Sequence, residues 1–259
     1  MKLMGVVNVT PDSFSDGGLY LDSDAAIAHG EKLVGDGAHV LDVGGESTRP
    51  GAREVDEAEE LRRVEPVVAA LAGAATVSID TSKAAVAEAA LDAGASIVND
   101  VTALRRDPEM AALCAERGAG VVLMHMPGNP RTMQDDPRYD DVVDDIRAFL
   151  AERIEAAVAA GIAEERIWLD PGIGFGKTVE HNLELLRRLA ELRDLGRPLV
   201  IGTSRKSFIG KIDGSAVDER LGGSIASSVL AAAEGADVLR VHDVAETAQA
   251  MRVAEAVLG

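Results

Sequence analysis

The stretch Gly94-Ala95-Ser96-Ile97-Val98-Asn99-Asp100-Val101 contains the unit from which the fold can be predicted. A Gly-Ala turn leads directly into a short run that favours a β-strand. The same turn occurs at Gly37-Ala38, Gly118-Ala119 and Gly235-Ala236. Because side chains two residues apart in a strand share a face, counting from each glycine aligns the strands that follow.

Eight strand candidates alternate with helical patterns along the chain. They cover residues 3–9, 40–43, 76–80, 97–101, 121–125, 167–170, 199–202 and 238–241. The clearest amphipathic helix covers 140–160, Asp107 is predicted as a helix N-cap, and Gly161 and Gly196 as helix stops. Strands joined by helices pair in parallel. A closed barrel and an open doubly wound sheet both fit, but eight units in 259 residues favour one α/β domain over 1–259, a (β/α)₈ TIM barrel.

Composition restricts the partners. The net charge of −18 argues against a nucleic-acid or anionic membrane surface, which would require clustered Lys and Arg. No apolar run approaches the roughly 18 residues of a membrane span. With Cys114 as the only cysteine, no intramolecular disulfide can form, which favours a reducing compartment. We therefore expect a cytoplasmic protein whose partners are small-molecule substrates.

Polar residues fall on one face near the carboxyl ends of several predicted strands, where barrel enzymes have their active sites. Asp80, Asn99 and Asp170, with Lys206 beside them, offer acceptors and donors for the edge of a flat nitrogen heterocycle such as a pterin or a guanine. Asp42 and Ser78 fall on the same face, and we interpret both as satisfied buried groups that brace the loops.

The segment Gly202-Thr203-Ser204-Arg205-Lys206, followed by Arg240 and His242 on the last strand, is a local basic cluster in an acidic protein. In barrels the loops after strands seven and eight frequently bind phosphate. Asn8 ends the first strand near this predicted anion site. Its amide oxygen could anchor Mg²⁺, a cation that is often completed by water and substrate phosphates. An isolated Asn at a strand end is otherwise a turn residue.

Three loops are candidates for binding. Segments 10–23 and 44–55 are long and rich in Gly, Pro, Ser and Asp, which is typical of binding loops but also of tolerated insertions. Segment 172–178 resembles a P-loop, but Pro171 occupies the position of the first glycine and the spacing fails. We interpret it as a flexible loop in which Phe175 could close over a substrate.

Several motifs in order resemble those of the dihydropteroate synthase family and together span all eight units. They are Met4-Gly5-Val6-Val7-Asn8-Val9-Thr10-Pro11-Asp12-Ser13-Phe14-Ser15-Asp16-Gly17-Gly18, Asp42-Val43-Gly44-Gly45-Glu46-Ser47-Thr48-Arg49-Pro50-Gly51, Ser78-Ile79-Asp80-Thr81, Val98-Asn99-Asp100, Leu169-Asp170-Pro171-Gly172-Ile173-Gly174-Phe175, Ser204-Arg205-Lys206-Ser207-Phe208 and Arg240-Val241-His242-Asp243.

The resemblance implies a transferase of folate biosynthesis, the target of sulfonamides, which joins a dihydropterin methyl diphosphate to p-aminobenzoate. It implies that the pterin is held by Asp80, Asn99, Asp170, Lys206 and Arg240. The diphosphate would be bound by His242, by Thr48, and by Asn8 through magnesium. The p-aminobenzoate pocket would comprise Phe14, Asp16, Arg49, Pro50, Phe175 and Ser207. Among all of these, Asp16, Arg49 and Lys206 are the implied catalytic residues.

Two alternatives remain open at this point. One is a methyltetrahydrofolate-binding barrel that passes a methyl group to a corrinoid, although such proteins should lack the paired loops with Phe14, Asp16, Arg49 and Pro50. The other is a non-catalytic paralogue that only binds pterin. The resemblance also implies a homodimer formed through the later helices. It gives no role to His125, which we interpret as a bracing residue.

Overall fold

The structure of the protein, a computed structural model, describes residues 1–10, 19–47, 54–129 and 131–258, without the side chains of 19–22 and 258. Within these residues eight strands form one parallel sheet. They are β1 (Lys2–Asn8), β2 (Val40–Gly44), β3 (Thr76–Asp80), β4 (Ile97–Asp100), β5 (Gly120–Met124), β6 (Ile167–Asp170), β7 (Val200–Ile201) and β8 (Val238–Val241).

The sheet closes into a barrel. Its order is β6-β5-β4-β3-β2-β1-β8-β7, and the two end strands meet through a parallel bridge between Leu169 and Leu199. The open doubly wound alternative is therefore wrong, and the predicted (β/α)₈ barrel is confirmed. The predicted strand bounds agree with the observed ones to within one residue at every end, and 199–202 shortens by one residue at each end to Val200–Ile201.

Helices follow the strands and cover the outside of the barrel. In the described residues they are α1 (Leu19–Gly35), α2 (Glu57–Leu71), α3 (Ala84–Asp92), α4 (Met110–Arg117), α5 (Val142–Ala159), α6 (Val179–Arg187), α7 (Ser207–Asp213), α8 (Leu221–Ala233) and α9 (Val244–Leu258). The predicted loop 10–23 is too long, because α1 already begins at Leu19.

The predicted N-cap at Asp107 is also wrong. Helix α4 begins at Met110 with Glu109 as its N-cap residue. The Asp107 carboxylate instead accepts the N–H groups of Glu109 at 3.0 Å and of Ala84 at 2.8 Å. An Asp side chain that accepts local backbone N–H groups is favoured in turns as well as at helix starts, and here Asp107 ties the turn after β4 to the start of α3.

Two layers of side chains fill the barrel and set the level of the polar face. The lower layer is apolar and consists of Met4, Val40, Ile97, Val122, Val200 and Val238, with Trp168 packed against it. Two residues further along their strands come Asp42, Asn99, Asp170 and Arg240. Positions two apart share a face, so these polar side chains lie inside the barrel directly above an apolar floor.

Candidate active site

Neighbouring strands bring the predicted polar face together. Asp42 is the register partner of Ser78, and Asp80 is the partner of Asn99. All four side chains are buried. Counting from the glycines placed these four residues on the correct face. The count predicts Asn99 at the level of Asp42 along the barrel, but Asn99 lies at the level of Asp80. The stagger of strands in a closed barrel shifts the level by two residues and keeps the face.

Arg240 connects this face across the barrel. Its Nε donates to Oδ2 of Asp42 at 2.7 Å, and its Nη2 donates to Oδ2 of Asp80 at 2.9 Å. The Asn99 amide also donates to Oδ2 of Asp42, at 3.0 Å. Burial disfavours the Arg240 cation, but Asp42 and Asp80 outweigh burial and raise its pKa. One guanidinium therefore holds two buried carboxylates in fixed positions.

Asp80 keeps one acceptor available. Its Oδ1 is buried and has no hydrogen-bond partner among the described residues. Burial raises the pKa of Asp80 to about 7; the Arg240 charge opposes this rise and the nearby Asp42 adds to it. A buried acceptor without a partner is costly, so this atom is prepared for a ligand that brings a donor.

Asp42 and Ser78 only partly match their interpretation as satisfied bracing groups. Oδ2 of Asp42 accepts two hydrogen bonds, from Arg240 and Asn99. Oδ1 of Asp42 and Oγ of Ser78 have no partner within the part of the chain that the structure describes. The bracing role of Asp42 is therefore fulfilled by one of its oxygens, and that of Ser78 is not seen.

Asp170 and Lys206 lie on the other side of the barrel mouth. Asp170 is buried and accepts the Gly172 N–H at 2.6 Å. Burial raises the pKa of Asp170, while this N–H and the Lys206 charge oppose the rise. Nζ of Lys206 lies 4.1 Å from the ring centre of Phe175, which is a cation–π contact. Phe175 therefore helps to fix the ammonium that is predicted to bind the pterin.

The loop that carries Phe175 is held on several sides. Gln134 and Tyr139 donate to the carbonyls of Gly174 and Gly176, at 2.8 and 2.7 Å, and the Gly174 N–H donates to Asn182 at 2.7 Å. These bonds fasten the loop to the β5–α5 connection and to α6. The expectation of a flexible loop is therefore wrong, because short polar contacts from both neighbours fix its backbone.

The predicted anion end combines Ser204 and His242. Oγ of Ser204 accepts the His242 backbone N–H at 3.2 Å and contacts its ring Nδ1 at 3.0 Å. Arg205 forms an ion pair with Asp243, so it orders the loop after β7. Asn8 ends β1, and Ser207 is the first residue of α7. In the described residues no group of three His, Cys, Asp or Glu side chains could hold a metal ion.

Five predicted residues, Phe14, Asp16, Thr48, Arg49 and Pro50, lie outside the described residues. A cavity of about 690 Å³ opens between the loops after β4 and β5 and the described ends of the loop after β2, which are residues 45–47 and 54–56. Of the predicted pterin residues only Asp80 lines it; the remaining wall includes Glu46, Ser47, Thr81, Val101, Arg105 and Met126. Hydrogen bonds through Arg240 connect Asp80 to Asp42, which also binds Asn99.

Lys83 is a buried residue that the sequence reasoning missed. Its Nζ donates to Glu46 at 2.7 Å, to Glu60 at 2.5 Å and to the Val55 carbonyl at 2.7 Å. Thr81 donates to the other oxygen of Glu60 at 2.8 Å. Lys83 thereby connects the two described ends of the loop after β2. Its position directly after the Ser78-Ile79-Asp80-Thr81 motif was the available signal.

With the geometry described, comparison with known proteins identifies the family. The sequence profile of pterin-binding enzymes matches residues 4–242. The chain belongs to the family of pterin-binding enzymes. Dihydropteroate synthase of Escherichia coli K12 is 50% identical over 258 residues, which cover 99% of this chain and 91% of that protein. This confirms the resemblance to dihydropteroate synthases and assigns the chain to a family of transferases.

Solved structures give the same relationship. Dihydropteroate synthase of Xanthomonas albilineans with 4-aminobenzoic acid superposes with a TM-score of 0.94 at 50% identity, covering 100% of this chain and 93% of that chain. A structure of the enzyme from the same organism in complex with 7,8-dihydropteroate has a TM-score of 0.91 at 47% identity, covering 100% of this chain and 94% of that one. Similarity over the whole barrel includes every strand that carries a predicted site residue.

Proposed function

We propose that the chain catalyses the dihydropteroate synthase reaction, in which (7,8-dihydropterin-6-yl)methyl diphosphate and p-aminobenzoate give 7,8-dihydropteroate and pyrophosphate. The observation that carries this proposal is the buried polar layer inside the barrel, where Arg240 fixes Asp42 and Asp80 and leaves Oδ1 of Asp80 free to accept. Relatives that are 50% and 47% identical have been solved with 4-aminobenzoic acid and with 7,8-dihydropteroate.

The pterin edge and the buried residues are chemically complementary. A pterin presents amino and ring N–H donors together with ring nitrogen and carbonyl acceptors. Asp80 and Asp170 supply acceptors, while Asn99 and Lys206 supply donors. A site built from such groups rejects rings that lack the matching edge by about 10⁴ or more, because its own polar groups would then stay unpaired.

The diphosphate would lie at the carboxyl ends of β7, β8 and β1. Ser204 and His242 are already in contact there, and Asn8 ends the neighbouring strand β1. A single neutral amide oxygen fits Mg²⁺ only when phosphate oxygens and water complete the coordination. Bound in this way, magnesium would neutralise charge on the leaving group.

The reaction exchanges one bond for another. The C–O bond between the pterin methylene carbon and the diphosphate breaks, and the diphosphate leaves with the electron pair. The amine nitrogen of p-aminobenzoate forms the new C–N bond and then loses a proton to solvent. Because diphosphate is a good leaving group once cations neutralise it, no dedicated strong base is needed.

The p-aminobenzoate pocket stays a prediction from the resemblance. Phe14, Asp16, Arg49 and Pro50 would surround the second substrate, with Phe175 and Ser207 beside them; Asp16 and Arg49, with Lys206, would be the catalytic residues. The described ends of the loop after β2 support this placement. Glu46 and Ser47 line the cavity that also contains Asp80.

The homodimer implied by the resemblance is part of the proposal. Most of the exposed large apolar side chains among the described residues lie on or between the last three helices. They are Ile212, Val217, Leu221, Leu230, Val253 and Val257. Exposed apolar patches of this kind are typical of protein–protein interfaces. We expect light scattering to give the mass of a dimer and Leu230→Glu to shift it towards the monomer.

The cytoplasmic location also belongs to the proposal. Cys114, the one cysteine of the chain, is buried. Burial raises the pKa of its thiol to about 12, which suits an inert core residue in a reducing compartment. No helix in the described ranges is both long and apolar enough to cross a membrane.

The test measures pyrophosphate release by the purified protein with the dihydropterin diphosphate and magnesium, with and without p-aminobenzoate, and identifies dihydropteroate by mass. Product that depends on both substrates is expected. Lys206→Ala and Asp80→Ala should abolish turnover and keep the fold, while Lys211→Ala, at an exposed lysine of α7, should leave turnover unchanged. Pterin binding without product would instead indicate the non-catalytic paralogue.

A further inference from the structure

A buried lysine and a buried histidine meet beneath the loop after β6. Lys177 is 2% exposed and His125 is 7% exposed. Nζ of Lys177 lies 3.1 Å from Nδ1 of His125 and donates to the Phe175 carbonyl at 2.9 Å. Neither residue belongs to the predicted substrate site, although both lie next to it: Lys177 holds the Phe175 carbonyl, and the His125 N–H bonds to the Asp170 carbonyl.

The contact between the two side chains defines their hydrogen-bonding roles. When Lys177 is protonated its ammonium has only donors, so Nδ1 of His125 accepts, and the neutral imidazole carries its proton on Nε2. Burial, together with the Lys177 and Arg105 charges, lowers the pKa of His125 to about 2. Burial lowers the pKa of Lys177 to about 7; Asp170 opposes this effect and Lys206 adds to it.

The imidazole ring is itself held in place by aromatic neighbours. The Phe149 ring meets it edge to face, with ring centres 4.9 Å apart, and the Tyr139 ring lies at 5.9 Å. Tyr139 in turn donates to the Gly176 carbonyl. His125 therefore presents Nδ1 to Lys177 from a position that the helix α5 and the β5–α5 connection determine.

The pair reaches the pterin residues at both ends of the loop. At the start of the loop, the His125 N–H donates to the Asp170 carbonyl at 2.9 Å. At its far end, Lys177 holds the Phe175 carbonyl, and the Phe175 ring lies under the Lys206 ammonium. The bond to Asp170 is made by the His125 backbone and stays in any side-chain variant, so a change in the pair would move Phe175 and, through its ring, Lys206.

We propose that His125 and Lys177 act as one positioning unit that sets Phe175 and Lys206 for the pterin ring. This inference rests on the proposed function. The pair touches no substrate atom, and its effect passes through the loop that it holds. Its loss should weaken pterin binding.

The experiment measures binding of 6-hydroxymethylpterin by calorimetry to the full chain and three variants: Lys177→Met, His125→Phe and the double variant. Each single change should weaken binding about tenfold, which corresponds to about 1.4 kcal/mol. Because both residues act through the same contact, the double variant should bind 6-hydroxymethylpterin with about the affinity of the single variant that binds it less tightly.

Lys83→Met is the matched control, because Lys83 is also a buried, fully hydrogen-bonded lysine but holds the loop after β2. Its pterin affinity should stay within about twofold of the wild type even if its melting temperature falls as far as that of Lys177→Met. Equal losses of pterin affinity in the two lysine variants would overturn the proposal. So would unchanged affinity in Lys177→Met.

A second comparison covers the case that Lys177→Met does not fold. His125→Asn keeps an acceptor near the position of Nδ1, whereas His125→Phe keeps the ring and removes the acceptor. The Asn variant should bind 6-hydroxymethylpterin several-fold more tightly than the Phe variant, and equal affinities would refute the unit. Failure of the proposed function is distinguishable, because it would appear as absent product or absent pterin binding in the unchanged chain.

Discussion

Replacing Asp80 by Asn should stabilise the fold at alkaline pH while it abolishes activity. The pKa of Asp80 is raised from 3.8 to about 7, mainly by burial. Because the folded-state pKa is the higher one, folding favours the protonated acid. The stability that this preference contributes is present below pH 3.8 and is lost as the pH rises through about 7. Asn stays neutral at every pH, so the variant does not lose this stability.

The magnitude follows from the rise in pKa. One pKa unit corresponds to about 1.36 kcal/mol, so the full effect at pH 8 is about 4 kcal/mol. Between pH 5 and pH 8 the free energy of unfolding of Asp80→Asn should rise by about 2–3 kcal/mol relative to the wild type. A new buried amide donor without a partner costs about 1–3 kcal/mol, but this cost is equal at both pH values and cancels in the comparison.

Urea unfolding of both proteins at pH 5, 6, 7 and 8 measures this difference. Asp194→Asn is the control, since Asp194 is 72% exposed and its replacement should give the same difference at every pH. A relative stability of Asp80→Asn that does not change with pH, or that falls towards pH 8, would refute the assignment of Asp80 as a buried carboxyl that ionises at a cost to the fold.

Three further predictions concern the proposed pterin site and the loop after β6. Affinity for 6-hydroxymethylpterin should rise about tenfold from pH 6 to pH 8 as Asp80 ionises, and Asp80→Asn should flatten this dependence in calorimetry. Arg240→Met should lower the free energy of unfolding by about 3–5 kcal/mol, since it leaves the buried carboxylates of Asp42 and Asp80 without their cation; a loss below about 1 kcal/mol in urea unfolding would contradict the role of Arg240 as their shared partner. Gly172→Ala should abolish pterin binding, because Gly172 has φ +69° and a Cβ there would lie 2.0 Å from the His125 carbonyl oxygen. Gly73→Ala, where a Cβ meets nothing within 4 Å, should bind normally.

Local patterns explain how much of the site could be predicted. The Gly-Ala turns and the period of two placed Asp42, Asn99 and Arg240 on one face, and the barrel puts all three inside. The level was wrong by two residues between Asn99 and Asp42, because strand stagger depends on closure of the whole sheet. The loop after β6 was interpreted as flexible because its fastening contacts come from distant residues such as Gln134 and Asn182.

The sequence by itself determined the strand–helix alternation, the inward face of β2, β4 and β8, and the family; for β5 the count from Gly118 selected Leu123, whereas Val122 lies inside the barrel. These properties depend on neighbouring residues, whose side chains alternate with the backbone period. Only the tertiary structure decided that Arg240 reaches Asp42 and Asp80, which lie 198 and 160 positions away, and that Lys177 meets His125, 52 positions away. Such pairings depend on how the closed barrel brings distant strands together, and no local pattern records that distance.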